Sequence, residues 1–119
     1  MNQYLSYRDL IVWQQGIKLS ILIYKLTEAF PNTELYGLTS QIRRSAVSIP
    51  SNIAEGQARK SPGEFRHFLR IALGSIAELD TQLIIAKELG YVPESDFDDL
   101  TAVVVEIQKM IYGLINSLN

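Results

Sequence analysis

The sequence predicts an all-α protein, folded as an antiparallel up-down-up-down four-helix bundle. Apolar residues recur at spacings of three and four in four segments, about residues 8–30, 34–60, 62–89 and 94–118, and no stretch alternates with the period of a strand. The breaks between them, at 31–33, 60–61 and 90–93, are too short for crossovers, so consecutive helices are expected to be antiparallel neighbours. A chain of 119 residues suits one domain with one core, read as spanning 1–119 without linker or repeat.

The first segment carries one apolar row at Leu10, Trp13, Ile17, Ile21 and Tyr24 and another at Val12, Leu19, Leu22, Ile23 and Leu26. An arc that wide predicts cover on two sides, by the bundle and by a neighbouring chain. Pro31 and Asn32 end it. The second places Leu35, Leu38, Ile42, Ala46, Ile49 and Ile53 on its core face, with Pro50 inside it.

The third opens on Ser61 as N-cap, Pro62 at the first helical position and Glu64 completing a capping box, and closes at Gly90. Its core row runs Phe65, Phe68, Leu69, Ala72, Ile76, Leu79, Leu83 and Ala86. In the fourth, Glu94, Asp96, Asp98 and Asp99 lie in the first turns, where the helix dipole favours acids. Phe97, Leu100, Val104, Ile107, Ile111, Leu114 and Leu118 then form a bundle seam.

Composition narrows the function. A hydrophobic fraction of 47% and a mean hydropathy of +0.07 are high for so small a chain, which predicts apolar surface reserved for self-association. No stretch approaches the roughly 18 apolar residues of a membrane span. The absence of cysteine excludes disulfides, thiolate metal sites and Cys nucleophiles, and suits a reducing compartment; the expected location is cytoplasmic.

The formal charge is -2, with a pI of about 5.3, but it is unevenly spread. Residues 1–42 are neutral, 43–70 carry six basic against two acidic side chains, and 71–119 carry two against eight. Arg43, Arg44, Arg59, Lys60, Arg66 and Arg70 are therefore the candidate phosphate contacts. Against this stands a simpler role, a solvated face with salt bridges to acids of the later helices.

Catalytic constellations fail on inventory. Glu64-Phe-Arg-His67 matches the Glu-x-x-His spacing of di-iron bundles, but such sites need two histidines and His67 is the only one, set on an outward face. No nucleophile, base and orienting group can be assembled, and no Gly-rich phosphate loop occurs. The expectation is a non-enzyme without metal, cofactor or small-molecule substrate.

The stretch "SIPSNIAEGQARK", residues 48–60, breaks its helical context. Pro50 cannot donate a backbone N–H and its ring collides with the Ala46 carbonyl, so the helix must kink or restart, with Ser48, Ser51 and Asn52 placed to bond the freed groups. Ser48, Pro50, Asn52 and Glu55 are thus candidates for a kink or subunit network, with Arg59 beside Glu55. Isolated glycines at 16, 56, 74 and 113 suggest close helix approach.

With these residues in view, the chain resembles the 23S rRNA intervening-sequence family. The resemblance spans about residues 8–116 and is most specific at Gln41-Ile42-Arg43-Arg44, at Ser48 to Gly56 and at Gly74-Ser75-Ile76-Ala77-Glu78-Leu79. It implies an antiparallel four-helix bundle assembled as a ring-like homo-pentamer, without enzymatic activity. Related accessory variability proteins of diversity-generating retroelements share that architecture and are thought to contact nucleic acid and a reverse transcriptase through a basic surface. Those relatives are strongly basic, a character from which this chain departs. Two roles follow: an oligomer that contacts RNA or a ribonucleoprotein through residues 43–70, or a homo-oligomeric scaffold without nucleic acid.

Overall fold

The computed structural model describes residues 6–118. Four α-helices are present, α1 (Ile11–Thr27), α2 (Leu38–Ala58), α3 (Pro62–Glu88) and α4 (Glu94–Ser117), with no strand among the described residues. Short 3₁₀ turns, Tyr7–Asp9 and Asn32–Glu34, precede α1 and α2.

The helices pack around a cycle in which each touches the next and α4 returns to α1. Side-chain contacts give the directions. The end of α1 meets the start of α2 through Thr27 and Arg43, and the middles of α2 and α3 meet through Ser48 and Ser75. The end of α3 meets the start of α4 through Lys87 and Glu94, and the start of α3 meets the end of α4 through Arg66 and Leu118. Up-down-up-down order follows, in a body of 49 × 24 × 19 Å.

Apart from Leu35, which lies before α2 and is exposed, the rows anticipated for α2, α3 and α4 make the core: Ile42, Ile49, Ile53, Leu69, Leu79, Leu83, Ile107 and Ile111 are fully buried. From α1 come Leu19 and Ile23, and the chain ends of the helices add Leu10, Phe30 and Val92. The other row of α1 turns outward. Trp13 and Ile17 are half-buried, while Ile21 and Tyr24 are exposed.

Helix ends differ from the periodicity where local chemistry competes. The first helix begins at Ile11 instead of about residue 8, because Ser6 and Asp9 close a capping box around a 3₁₀ turn and Leu10 is extended. It ends at Thr27, three residues early, in turns closed by Ala29 and Phe30. The second begins at Leu38 instead of about 34. Glu34 caps that start, its Oε1 accepting from the Leu38 N–H, while its Oε2 accepts from the Tyr91 hydroxyl at 3.1 Å. That hydrogen bond, then burial, raises the Tyr91 pKa above its ordinary value and pins the α1–α2 connection to the α3–α4 connection.

Candidate functional site

Pro50 does not restart the helix: α2 runs through it unbroken. The ring fits because Gly16 of α1 lies opposite, where a Cβ would stand 3.1 Å from the Pro50 Cβ. The Ala46 carbonyl, deprived of its usual donor, accepts from the Ser20 hydroxyl of α1 at 3.3 Å, the longer arm of a bond that the one hydroxyl proton shares with the Gly16 carbonyl at 2.9 Å. The rescue therefore comes from a neighbouring helix. The donor was expected among Ser48, Ser51 and Asn52, and Ser20 betrays itself in sequence only as a hydroxyl on an apolar arc.

Ser48 and Asn52 serve the α2–α3 seam instead. The Ser48 and Ser75 hydroxyls lie 2.8 Å apart, and the Asn52 amide donates to both the carbonyl and the hydroxyl of Ser48. One turn on, Gly56 lets Phe65 and Phe68 of α3 press onto the α2 backbone.

Glu55 and Arg59 satisfy each other within the subunit. The Arg59 guanidinium donates to Glu55 at 2.8 Å and to Glu64 at 3.3 Å, and stacks over the Phe68 ring. Chiefly through the Glu55 bond, its pKa is raised above the ordinary value. All three side chains are about half exposed, so water screens the attraction and the group adds little to stability.

The six basic candidates do not form one patch. Arg43 bonds Thr27 Oγ1 at 2.8 Å and the Tyr24 carbonyl, lying over the Tyr24 ring; it closes the C-terminus of α1. Arg66 donates to the Leu118 carbonyl at 3.0 Å and does the same for α4. With Arg59 committed as above, Arg44, Lys60 and Arg70 are the exposed candidates without an ion-pair or hydrogen-bond partner among the described residues. Lys60 has φ of 59°, the left-handed conformation that usually falls to glycine after a helix end.

Glu64 is held by Arg59, and His67 meets Phe68 edge-on on the exposed side of α3. Among the described residues, no group of three or more His, Asp or Glu side chains gathers where a metal could be held, and no helix is long and apolar enough to cross a membrane.

Two outer grooves carry apolar side chains instead. Along α1 and α2 lie Trp13, Ile17, Ile21 and Tyr24 with Val47, which sits one turn from Arg43 and Pro50 and so on the α1 edge of α2. Along α3 and α4 lie Ile84, Val105 and Tyr112, placed on that edge by helical spacing from the Lys87–Phe97 contact. Ile21 is 50% exposed and Tyr112 51%. In the cycle of four helices, these two grooves lie on opposite sides.

No curated protein matches the chain. Among solved structures, one of a protein of unknown function from the S23 ribosomal protein family of Bacteroides thetaiotaomicron VPI-5482 is similar in fold, with a TM-score of 0.82 at 24% identity over 90% of this chain and all of that one. The family model of the 23S rRNA-intervening sequence protein matches residues 8–113. The segment it covers runs from the 3₁₀ turn before α1 almost to the end of α4, and the chain belongs to the 23S rRNA-intervening sequence protein family.

Proposed function

We propose that the protein is a non-enzymatic, self-assembling scaffold whose subunits join through the α1–α2 groove of one copy and the α3–α4 groove of the next. The observation that carries this reading is the pair of exposed apolar stripes on opposite sides of the bundle. Two unlike faces on opposite sides join head to tail, and such contacts close into rings when the rotation between copies allows. A ring of five is the number that the family resemblance implies.

Light scattering coupled to sizing tests it. The intact chain should elute as an assembly of several subunits, and I21E with V47E should give a monomer whose far-UV circular dichroism is unchanged. A monomeric wild type, or an assembly indifferent to both charges, would overturn the proposal.

A second role, contact with structured RNA or a ribonucleoprotein in the cytoplasm, is favoured by Arg44, Lys60 and Arg70, exposed and unpaired among the described residues. Phosphate contacts of this kind position a partner without reading its sequence. Family membership adds to this reading through the rRNA-gene origin its name records.

A further inference from the structure

The end of the bundle where α2 turns into α3 holds a cavity of about 480 Å³, roofed on its other side by the last turns of α4. That volume lies within the roughly 300–1,000 Å³ of small-molecule sites. Its walls divide by chemistry. Phe65, Leu114 and Leu118 make an apolar side, while Gln57, Lys60 and Ser61 make a polar one from five consecutive positions of the chain.

Gln57 is the telling residue. It is only 8% exposed and lines the cavity, yet its side-chain amide has no hydrogen-bond partner among the described residues. Neither amide atom is sealed from solvent, so the group opens onto the cavity, at a core helical position where an aliphatic residue is the ordinary choice. Beside it, Lys60 takes a left-handed backbone conformation that glycine would adopt without strain, and so sets at the rim an ammonium without a partner among the described residues. Arg66 adds a second cation, held against the carbonyl of the lining residue Leu118. Glu55 and Glu64, the acids beside these cations, are both already bonded to Arg59. The N-terminus of α3 opens at the same place, with Pro62 and Ser61 in the wall, and its dipole also favours an anion.

We propose that this cavity binds a small single-chain amphiphile with an anionic head, of the medium-chain carboxylate class. The carboxylate lies on the Gln57–Ser61 side, accepting from the Gln57 amide and paired with the Lys60 ammonium. The hydrocarbon body lies against Phe65, Leu114 and Leu118. Neither subunit assembly nor nucleic acid enters this reading, so it stands apart from the scaffold proposal and can fail independently of it.

The test is calorimetric titration of the full chain with decanoate below its micelle concentration, in parallel with decyltrimethylammonium, which has the same tail and the opposite charge. Amide chemical shifts locate the site. The expected result is saturable binding of one decanoate per chain, with shifts centred on residues 57–66 and 114–118. The cationic amphiphile should bind at least about fivefold more weakly, as should decanoate to K60G, through loss of one charge-assisted contact. K60G places glycine where the backbone suits it, so the variant folds and its melting temperature holds or rises. Absence of saturation, equal binding of the two amphiphiles, undiminished binding by K60G, or shifts centred elsewhere would each overturn the proposal.

Discussion

A methyl group on Gly56 would sit 2.6 Å from the Phe68 Cβ and 3.1 Å from the Phe65 ring, closer than packed carbons approach. On Gly74, in the exposed middle of α3, it would meet nothing within 4 Å. The two positions should respond to one substitution with opposite signs. G56A forces α2 and α3 apart, and overpacking of this kind costs about 1–3 kcal/mol. G74A replaces a poor helix former by the best one and should stabilise by about 0.5–1 kcal/mol. Urea denaturation of the two variants checks both; equal shifts would show that neither glycine is held by its neighbours. In sequence these residues look alike, as do Gly16 and Gly113, because what distinguishes them stands on another helix. Gly16 meets Pro50, and Gly113, like Gly74, meets nothing.

Elements were legible where punctuation is local. The bounds of α3 follow from Ser61, Pro62 and Gly90, and those of α4 from Pro93 and the acids after it, because capping chemistry is written within a few residues of each end. The start of α1 was less plain, although Ser6-x-x-Asp9 carries the capping signal that set it. What periodicity could not supply is the exchange between α1 and α2 at Pro50. If the Ser20 hydroxyl serves the Ala46 carbonyl, S20A leaves a buried acceptor unpaired and costs about 1–2 kcal/mol. P50A restores a backbone N–H four residues after Ala46 and makes that hydroxyl redundant. In the P50A background, S20A should therefore cost less than half as much, a coupling that a double-mutant cycle on denaturation midpoints measures. Additive costs would mean that Ser20 matters for packing alone.

Across the whole molecule, the sequence concentrates charge and the fold disperses it. Residues 43–70 look like one basic stripe, but Arg43 and Arg44, in the first turns of α2, lie sixteen positions before Arg59 and Lys60, which follow its last residue. At 1.5 Å per residue that is about 24 Å, three times the roughly 8 Å over which salt screens charges at physiological strength. Arg43, Arg59 and Arg66 are moreover engaged within the subunit, by contacts between helices or across a turn that no linear pattern reveals. A phosphate-binding role thus rests on Arg44, Lys60 and Arg70, and the salt dependence of RNA binding counts them. Each duplex phosphate neutralised contributes a slope of about -0.9 to the logarithm of affinity against that of salt. With all six cations engaged the slope per subunit would be about -5; with the unpaired three it should be no steeper than about -3. Titrations on 23S rRNA fragments should give the shallower value, and R44A, K60A and R70A together should abolish binding without changing subunit number. A slope near -5, or affinity that survives the triple change, would show that the engaged arginines leave their partners to meet RNA, and the fold would then be giving up its own helix-end contacts for each phosphate it holds.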